Sequence, residues 1–445
     1  MKFGLFYEHQ SPGPYNTESE QKIFTSALDE LELADQLGFD YAWLVEHHFL
    51  EEYSHSSAPE IFLAALSQRT KRMRLGHGIN VMPPKINHPA RVAERLATLD
   101  LISGGRVEWG TGESGTAMEL EGFGVEFSEK KAMWHEATEQ CANMMAMTPY
   151  PGYEGQYFSM PTRNVVPKPL QAPHPPLWMA CSRRETILRA AEFGMGALVF
   201  GFASPEMAGS WVDEYYSIIK SDRCVPLGHT VNANFSIVTA LSVHPDREEA
   251  IRRGTQGFKF FGYSLGHYAA FGTTKPGYPK VWENFLRAED SIDDNHGNGG
   301  IGTPEDVYEH CKAYKDVGVD QLIFVQQTGK ATHENICASL KLFASDVMPR
   351  LKADLAEKEA AKAVELAPFI EAAIARKPKM KPLTEEETPE IIPFGKRNPG
   401  SARRFLDRSD RGGGLSIVPD DPLATVSNQA LIADEAGRAK AEEQK

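Results

Sequence analysis

The sequence predicts an α/β fold, a (β/α)8 barrel of the TIM type, on three observations. Apolar runs of strand length alternate with amphipathic helical stretches along most of the chain. Eight such runs occur, which favours a closed parallel barrel over an open sheet. Polar and ionisable residues follow five of them, at the strand ends that form the rim where a barrel carries its active site.

The first run, "KFGLFYE", leads into a helix in which Ile23, Ala27, Leu31 and Ala34 recur at helical spacing and which Gly38 closes. "YAWLVE", "MRLGHGINVM" and "GRVEWGTG" are the next three strands, separated by the helices "EIFLAALSQRT" and "ARVAERLATLDLIS". A helix from about Glu129 to Met147 and a Pro/Gly-rich crossing, "TPYPGYEGQYFSMPTR", precede the fifth strand, "PLWMACS". The strands "GALVFGF" and "VNANFSIVTALSV" follow, with the helices "RETILRAAEFG", "PEMAGSWVDEYYSIIKS" and "REEAIRRGTQGFKFF" around them. A helix "PEDVYEHCKAYKDVG", the strand "QLIFVQQ" and a helix ending in "VMPRL" complete the barrel at residue 351.

Two segments leave this rhythm. Residues 262–300, rich in Gly and aromatics, form a long loop before the last barrel unit, either a lid over the rim or a variable excursion. Residues 352–445 form a tail. It opens with a charged helix, Lys352 to Arg376, whose apolar stripe is Ala353, Ala356, Ala360 and Ala363. Pro378, Pro382, Pro389, Pro393 and Pro399 then impose an extended or disordered arm, with Ile391, Ile392, Phe394 and Phe405 available as anchors.

The composition, 41% hydrophobic and 24% charged, is that of a soluble globular protein. A net charge of -14 argues against a nucleic-acid or acidic-membrane partner, since both need clustered Lys and Arg. Five scattered cysteines without a CxxC pair suit a reducing cytoplasm. The first residues enter a strand directly and no apolar stretch approaches the ~18 residues of a membrane span, so neither an export signal nor an anchor is expected.

The rim residues are Glu46-His47-His48 after the second strand, Gly78-Ile79-Asn80 in the third, "GTGES" after the fourth, "CSRR" after the fifth and Gln326-Gln327 after the eighth. Adjacent strand residues point to opposite faces, so His47 and His48 are not expected to share a metal, and no metal site is expected at all. For His48 the preferred reading is a backbone cap or a packed ring. "GTGESG" matches the dinucleotide fingerprint, yet a Rossmann turn must open a helix at once and "TAMELEGFGVEF" intervenes. Its glycines either let backbone lie against a flat ligand or simply make a turn. In "ACSRRET", Ser182 and Glu185 have capping-box spacing, and the same helix start, reached by Arg183 or Arg184, suits a phosphate.

Taken in order, "MKFGLF", "GFDYAWLVEHHF", "LGHGINVMPPKINHPARVAERLATLDLISGGRVEWGTG", "SRRETILRAAEFG" and "GVDQLIFVQQTG…HENICASLKLFASDVMPRL" resemble the bacterial luciferase-like flavin-dependent monooxygenases over residues 1–351. The resemblance implies a barrel that binds reduced FMN, supplied by a separate flavin reductase, and uses O2 to oxygenate a small organic substrate through a flavin hydroperoxide. His47 matches the family's catalytic histidine. Gly78-Ile79, followed by Asn80, matches a non-prolyl cis peptide beneath the flavin, and Ser182, Arg183 and Thr186 match its phosphate-binding helix start. Lys131 stands where the luciferases often place a phosphate-binding Arg. Gly112 stands where luciferase has its reactive cysteine, and Glu113 where relatives often carry Arg. The first departure speaks against light emission, and the second sets a carboxylate against the phosphate unless Lys131, Arg183 or Arg184 offsets it. A homodimer or other oligomer is expected. The alternatives are a deazaflavin-dependent hydride-transfer oxidoreductase on the same barrel and a non-enzymatic flavin-binding relative.

Overall fold

The apolar runs form β1 (Lys2–Tyr7), β2 (Tyr41–Val45), β3 (Arg74–Val81) and β4 (Val107–Gly112). An antiparallel hairpin, β5 (Tyr150–Glu154) and β6 (Ser159–Arg163), occupies the Pro/Gly-rich crossing. Next come β7 (Leu177–Cys181), β8 (Gly196–Val199), β9 (Phe235–Thr239), the short pair β10 (Ser242–Val243) and β11 (Ile301–Gly302), and β12 (Gln321–Gln326). In this computed structural model, which describes residues 1–292 and 298–392, β1-β12-β9-β8-β7-β4-β3-β2 close into a parallel barrel. The expected (β/α)8 architecture is therefore present.

The helices are α1 (Thr17–Leu37), α2 (Pro59–Arg69), α3 (Pro89–Ser103), α4 (Ala117–Gly122), α5 (Lys130–Ala146), α6 (Arg184–Glu192), α7 (Pro205–Ile219), α8 (Arg247–Gly266), α9 (Val281–Ala288), α10 (Pro304–Asp316), α11 (His333–Leu342), α12 (Met348–Lys352) and α13 (Leu355–Arg376). Gly38 ends α1 in the left-handed region, at φ 93°, its N–H returning to the Ala34 and Asp35 carbonyls.

Strand alternation divides the core. Phe3, Leu5, Leu44 and Leu75 face the helices, while Phe6, Trp43, Trp178, Leu198 and Ile323 fill the barrel. Trp43 stacks on Tyr41 at 5.6 Å and meets Trp178 edge-on at 5.3 Å. Below them Arg74 pairs with Glu108, which also accepts 2.6 Å from Trp178 Nε1. Small residues make room for this filling. A Cβ on Gly110 would lie 2.1 Å from the Gly78 carbonyl oxygen, a backbone atom that cannot swing aside. Gly110→Ala is therefore expected to lower stability by about 1–3 kcal/mol, as overpacking does, and a denaturation midpoint unchanged from the parent would contradict this packing account.

The compact unit spans Met1–Glu385 and includes α13, which crosses the N-terminal end of the barrel. The alanine stripe does not make that contact: Ala353, Ala356, Ala360 and Ala363 are all exposed. Instead Leu366 and Ala373 are buried, and long cationic side chains reach the strand starts. Lys362 Nζ donates to Asp320 at 2.6 Å and to Asn234 at 3.0 Å, and Lys377 Nζ donates to the Leu227 carbonyl at 2.7 Å. Methyl groups bury little area, so the helix turns the face that can satisfy these strand-end acceptors. Ile391 and Ile392 are exposed, and Phe394 and Phe405 lie outside the described residues.

In the long loop, α8 runs on through a π turn at His267–Phe271 before α9. Trp282, Val281 and Phe285 pack on Phe260 as a small core. Tyr268 Oη donates to the Glu51 carbonyl at 2.8 Å, and the Trp282 N–H donates to Glu52 at 2.5 Å. The loop is thus fastened to the segment that follows β2.

Candidate active site

Beyond Val45 the chain leaves the barrel as Glu46-His47-His48, and the three side chains go to different places. Glu46 is buried and accepts from Asn80 Nδ2 (2.9 Å), Val81 N–H (2.9 Å) and Asn87 Nδ2 (2.6 Å), which ties β2 to β3. Burial opposes its charge, but these donors and the nearby His48 and His77 outweigh that and hold it below the usual carboxylate range. His48 Nε2 lies 3.0 Å from Glu46 Oε1, so its ring is a carboxylate partner and neither a backbone cap nor merely packed.

His47 is held differently. Its Nδ1 lies 2.9 Å from Glu119 Oε1, whose other oxygen accepts from Ser114 Oγ (2.7 Å) and Thr116 Oγ1 (2.9 Å). The His48 N–H donates to the same Glu119 oxygen at 3.0 Å. On the opposite side, His47 Nε2 faces Glu8 Oε2 at 3.9 Å, and Tyr53 Oη donates to Glu8 Oε1 at 2.9 Å. Burial pulls the imidazolium down, but the Glu119 and Glu8 carboxylates overcome it and raise His47 to about 9. Burial likewise pushes Glu119 up, and the His47 charge with its hydrogen bonds brings it down to about 2.

Neither Glu8 nor Glu119 was among the site residues expected from sequence. Glu119 lies in α4, which opens at Ala117 inside the stretch expected to carry no helix. Its signal was present: Thr116 and Glu119 have the capping-box spacing, and the Thr116 hydroxyl does accept from the Glu119 N–H at 3.3 Å. Glu8 extends β1 by one residue, a strand-end position like the others.

The mouth beside His47 is apolar. Ile79, Met118, Phe200, Phe202, Phe258, Leu265 and Tyr268 are partly buried on the barrel filling. Ile79, Asn80 and Gly112 come together, because β3 pairs Asn80 with Thr111 and Val81 with Gly112. A Cβ on Gly112 would sit 2.5 Å from Ile79 Cγ2, so a side chain there would displace the Ile79 floor. The Gly78-Ile79 bond is not among the cis peptides of the described residues, which all precede proline. The strand slips its register against both neighbours here. Asn80 Oδ1 is buried without a partner among the described residues.

A cationic corner lies at the start of α6. Ser182 is exposed and does not cap the helix. The cap is one residue later, where the Arg183 N–H donates to Thr186 Oγ1 at 3.3 Å and that hydroxyl donates to the Arg183 carbonyl at 2.7 Å. The helix begins there because the short β7 ends at Cys181. Lys131 is half-exposed and 3.7 Å from Glu185, while Lys130 is the buried lysine, 3.6 Å from Glu113. Burial and the Lys131 and Arg183 charges hold Lys130 below its usual value, against Glu113. Arg184 is taken by Glu214 at 2.7 Å, and Arg183 has no ion-pair partner among the described residues. Lys130 thus offsets Glu113, a role expected of Lys131, Arg183 or Arg184. An open apolar floor with helix N–H groups and one cation without an ion-pair partner among the described residues, Arg183, nearby fits a flat ring carrying one phosphate.

A family model described as luciferase-like monooxygenase matches residues 1–321. The oxygenase component of a flavin-dependent trigonelline monooxygenase from Acinetobacter baylyi is 23% identical over 363 residues, 78% of this chain and 95% of that one. The crystal structure of a monooxygenase from Streptomyces bottropensis matches with a TM-score of 0.64 at 25% identity, covering 79% of this chain and 99% of its own. A coenzyme F420 dependent tetrahydromethanopterin reductase from Methanopyrus kandleri shares the fold, with a TM-score of 0.58 at 20% identity over 79% of this chain and 99% of that one.

Proposed function

The chain belongs to the luciferase-like monooxygenase family, and from that premise we propose that it is a flavin-dependent monooxygenase which uses reduced FMN and O2 to oxygenate a small organic substrate. The observation that carries this reading is His47, clamped by Glu119 at 2.9 Å at the edge of an apolar mouth. Bound reduced FMN would supply the two electrons that activate O2. Ile79 and Gly112 would lie against the ring, and Lys130, Arg183 and the N–H groups opening α6 would hold the phosphate. Phe200, Phe202 and Tyr268 keep water from the mouth, and the His47 Nε2–H is the group that donates to an oxygen reaching the rim. A separate reductase is the proposed source of reduced flavin, in keeping with the oxygenase-component relative.

One helix start serves one phosphate and the described residues hold no Rossmann unit for an adenylate, so FMN is expected to bind more tightly than FAD. Anaerobic calorimetry with reduced FMN, FAD and a deazaflavin tests this. Arg183→Ala and Lys130→Ala are each expected to weaken FMN on the order of tenfold or more, the loss of one charge-assisted contact. Tighter binding of FAD would refute the FMN assignment. Tighter binding of the deazaflavin, with no O2 consumption, would make the protein a hydride-transfer enzyme instead.

A further inference from the structure

Glu8 is placed where the flavin chemistry alone does not require a carboxylate. It follows β1 directly, is 3% exposed, and accepts from Tyr53 Oη at its carboxylate and from Ser54 Oγ at its backbone carbonyl. Its Oε2 is buried without a hydrogen-bond partner among the described residues, and His47 Nε2 lies 3.9 Å away. That separation is too long for a direct bond, yet His47 is the only ion-pair partner of the carboxylate among the described residues.

We propose that Glu8 is a positioning residue which, together with Tyr53, holds His47 doubly protonated and aims its Nε2–H at the mouth. Glu119 and Glu8 then divide the imidazole between them. Glu119 bonds Nδ1 and fixes the ring plane, and Glu8 faces Nε2 and makes its deprotonation unfavourable. A 3.9 Å gap has room beside it for one oxygen atom bonded to both groups. Such an atom accepts from His47 and, if it carries hydrogen, donates to Glu8 Oε2. Without Glu8 the imidazole keeps only one strong counter-charge and gives up its Nε2 proton at lower pH.

The charges acting on His47 are Glu119, Glu8 and Glu46; on Glu8, burial is the largest influence and pushes the carboxyl up, Glu119 adds to that, and the His47 charge with the Ser54 and Tyr53 hydrogen bonds pulls it back toward the carboxylate. Of these, Glu8 alone is removed by Glu8→Gln, which keeps an acceptor for Tyr53. The inference rests on the proposed role of His47 only for its use in turnover, and its test needs neither flavin nor substrate. The His47 ring resonance is assigned as the one lost in His47→Asn and is titrated by NMR in the full chain. In Glu8→Gln the midpoint is expected to fall by about one pH unit or more, the scale of one nearby opposite charge. Tyr53→Phe is expected to move it the same way by less, because the hydroxyl favours the Glu8 carboxylate. An unchanged midpoint in a folded Glu8→Gln protein overturns the inference, and if that variant does not fold, an unchanged midpoint in Tyr53→Phe overturns it. A shifted midpoint with no shift in the alkaline limb of product formation would leave Glu8 as assigned and remove His47 from the reaction.

Discussion

His47→Ala is expected to cut product formation by about 10²–10⁴-fold, the usual contribution of a placed acid or base, while FMN affinity stays close to that of the parent. The ring and phosphate contacts proposed for FMN come from Ile79, Gly112, Lys130 and Arg183, none of which depends on the imidazole. Stability falls as well, because Glu119 is left buried without its cation, although Ser114, Thr116 and the His48 N–H still bond it. His47→Gln restores a neutral donor to Glu119 and should recover stability without recovering activity. Normal turnover by either variant, with flavin bound, would refute the catalytic assignment.

The same pair predicts a pH dependence. His47 rises from 6.5 to about 9 on folding, so its contribution is complete below about 6.5 and is lost as pH climbs through 9. Glu119 falls from 4.5 to about 2, so its contribution is present above 4.5 and is lost as pH drops through 2. Between about 4.5 and 6.5 both contributions are complete, and the clamp weakens progressively from about 6.5 to 9 on the alkaline side. Activity that uses the Nε2 proton is expected to fall off along an alkaline limb near pH 9 that is absent from His47→Gln.

What the sequence made legible was the periodicity and the strand ends. The strand and helix runs, the rim position of His47, and the meeting of Ile79, Asn80 and Gly112 all follow from local pattern and register. Partners separated by long stretches of chain were not legible. Glu119 reaches His47 across 72 positions, and nothing near residue 47 marks which carboxylate will face it. The choice between Lys130 and Lys131 turns on the rotation of α5 about its axis, where one residue is a third of a turn. The cap of α6 slid from Ser182 to Arg183 for a related reason. A capping box fixes spacing but not phase, and Thr186 competes with Glu185 for the same job.

The tail gives the other large effect. A protein ending at Glu385 keeps α13 and serves as the reference for a shorter one. A protein ending at Leu351 loses α13 and with it the cations that meet the strand starts. Asp320, with 12% of its side chain exposed, loses Lys362, and Asp40 loses Lys352, whose Nζ donates to it at 2.7 Å. The Cys224 carbonyl loses Arg376 at 3.0 Å, and the surface under Leu366 and Ala373 becomes wet. Re-exposing one leucine and its facing surface costs about 1.5–3 kcal/mol, and unpairing a mostly buried carboxylate adds a penalty of similar size. The shorter protein should therefore unfold at clearly lower denaturant than the longer one. FMN binding by its folded fraction should be unchanged, because α13 crosses the N-terminal end of the barrel and the candidate site stands at the other. Equal midpoints for the two truncations would show that α13 only rests on the barrel. Loss of flavin binding from a folded 1–351 protein would show that the helix shapes the site from below, through the Arg74–Glu108 layer and the Trp43–Trp178 filling that connect the two ends.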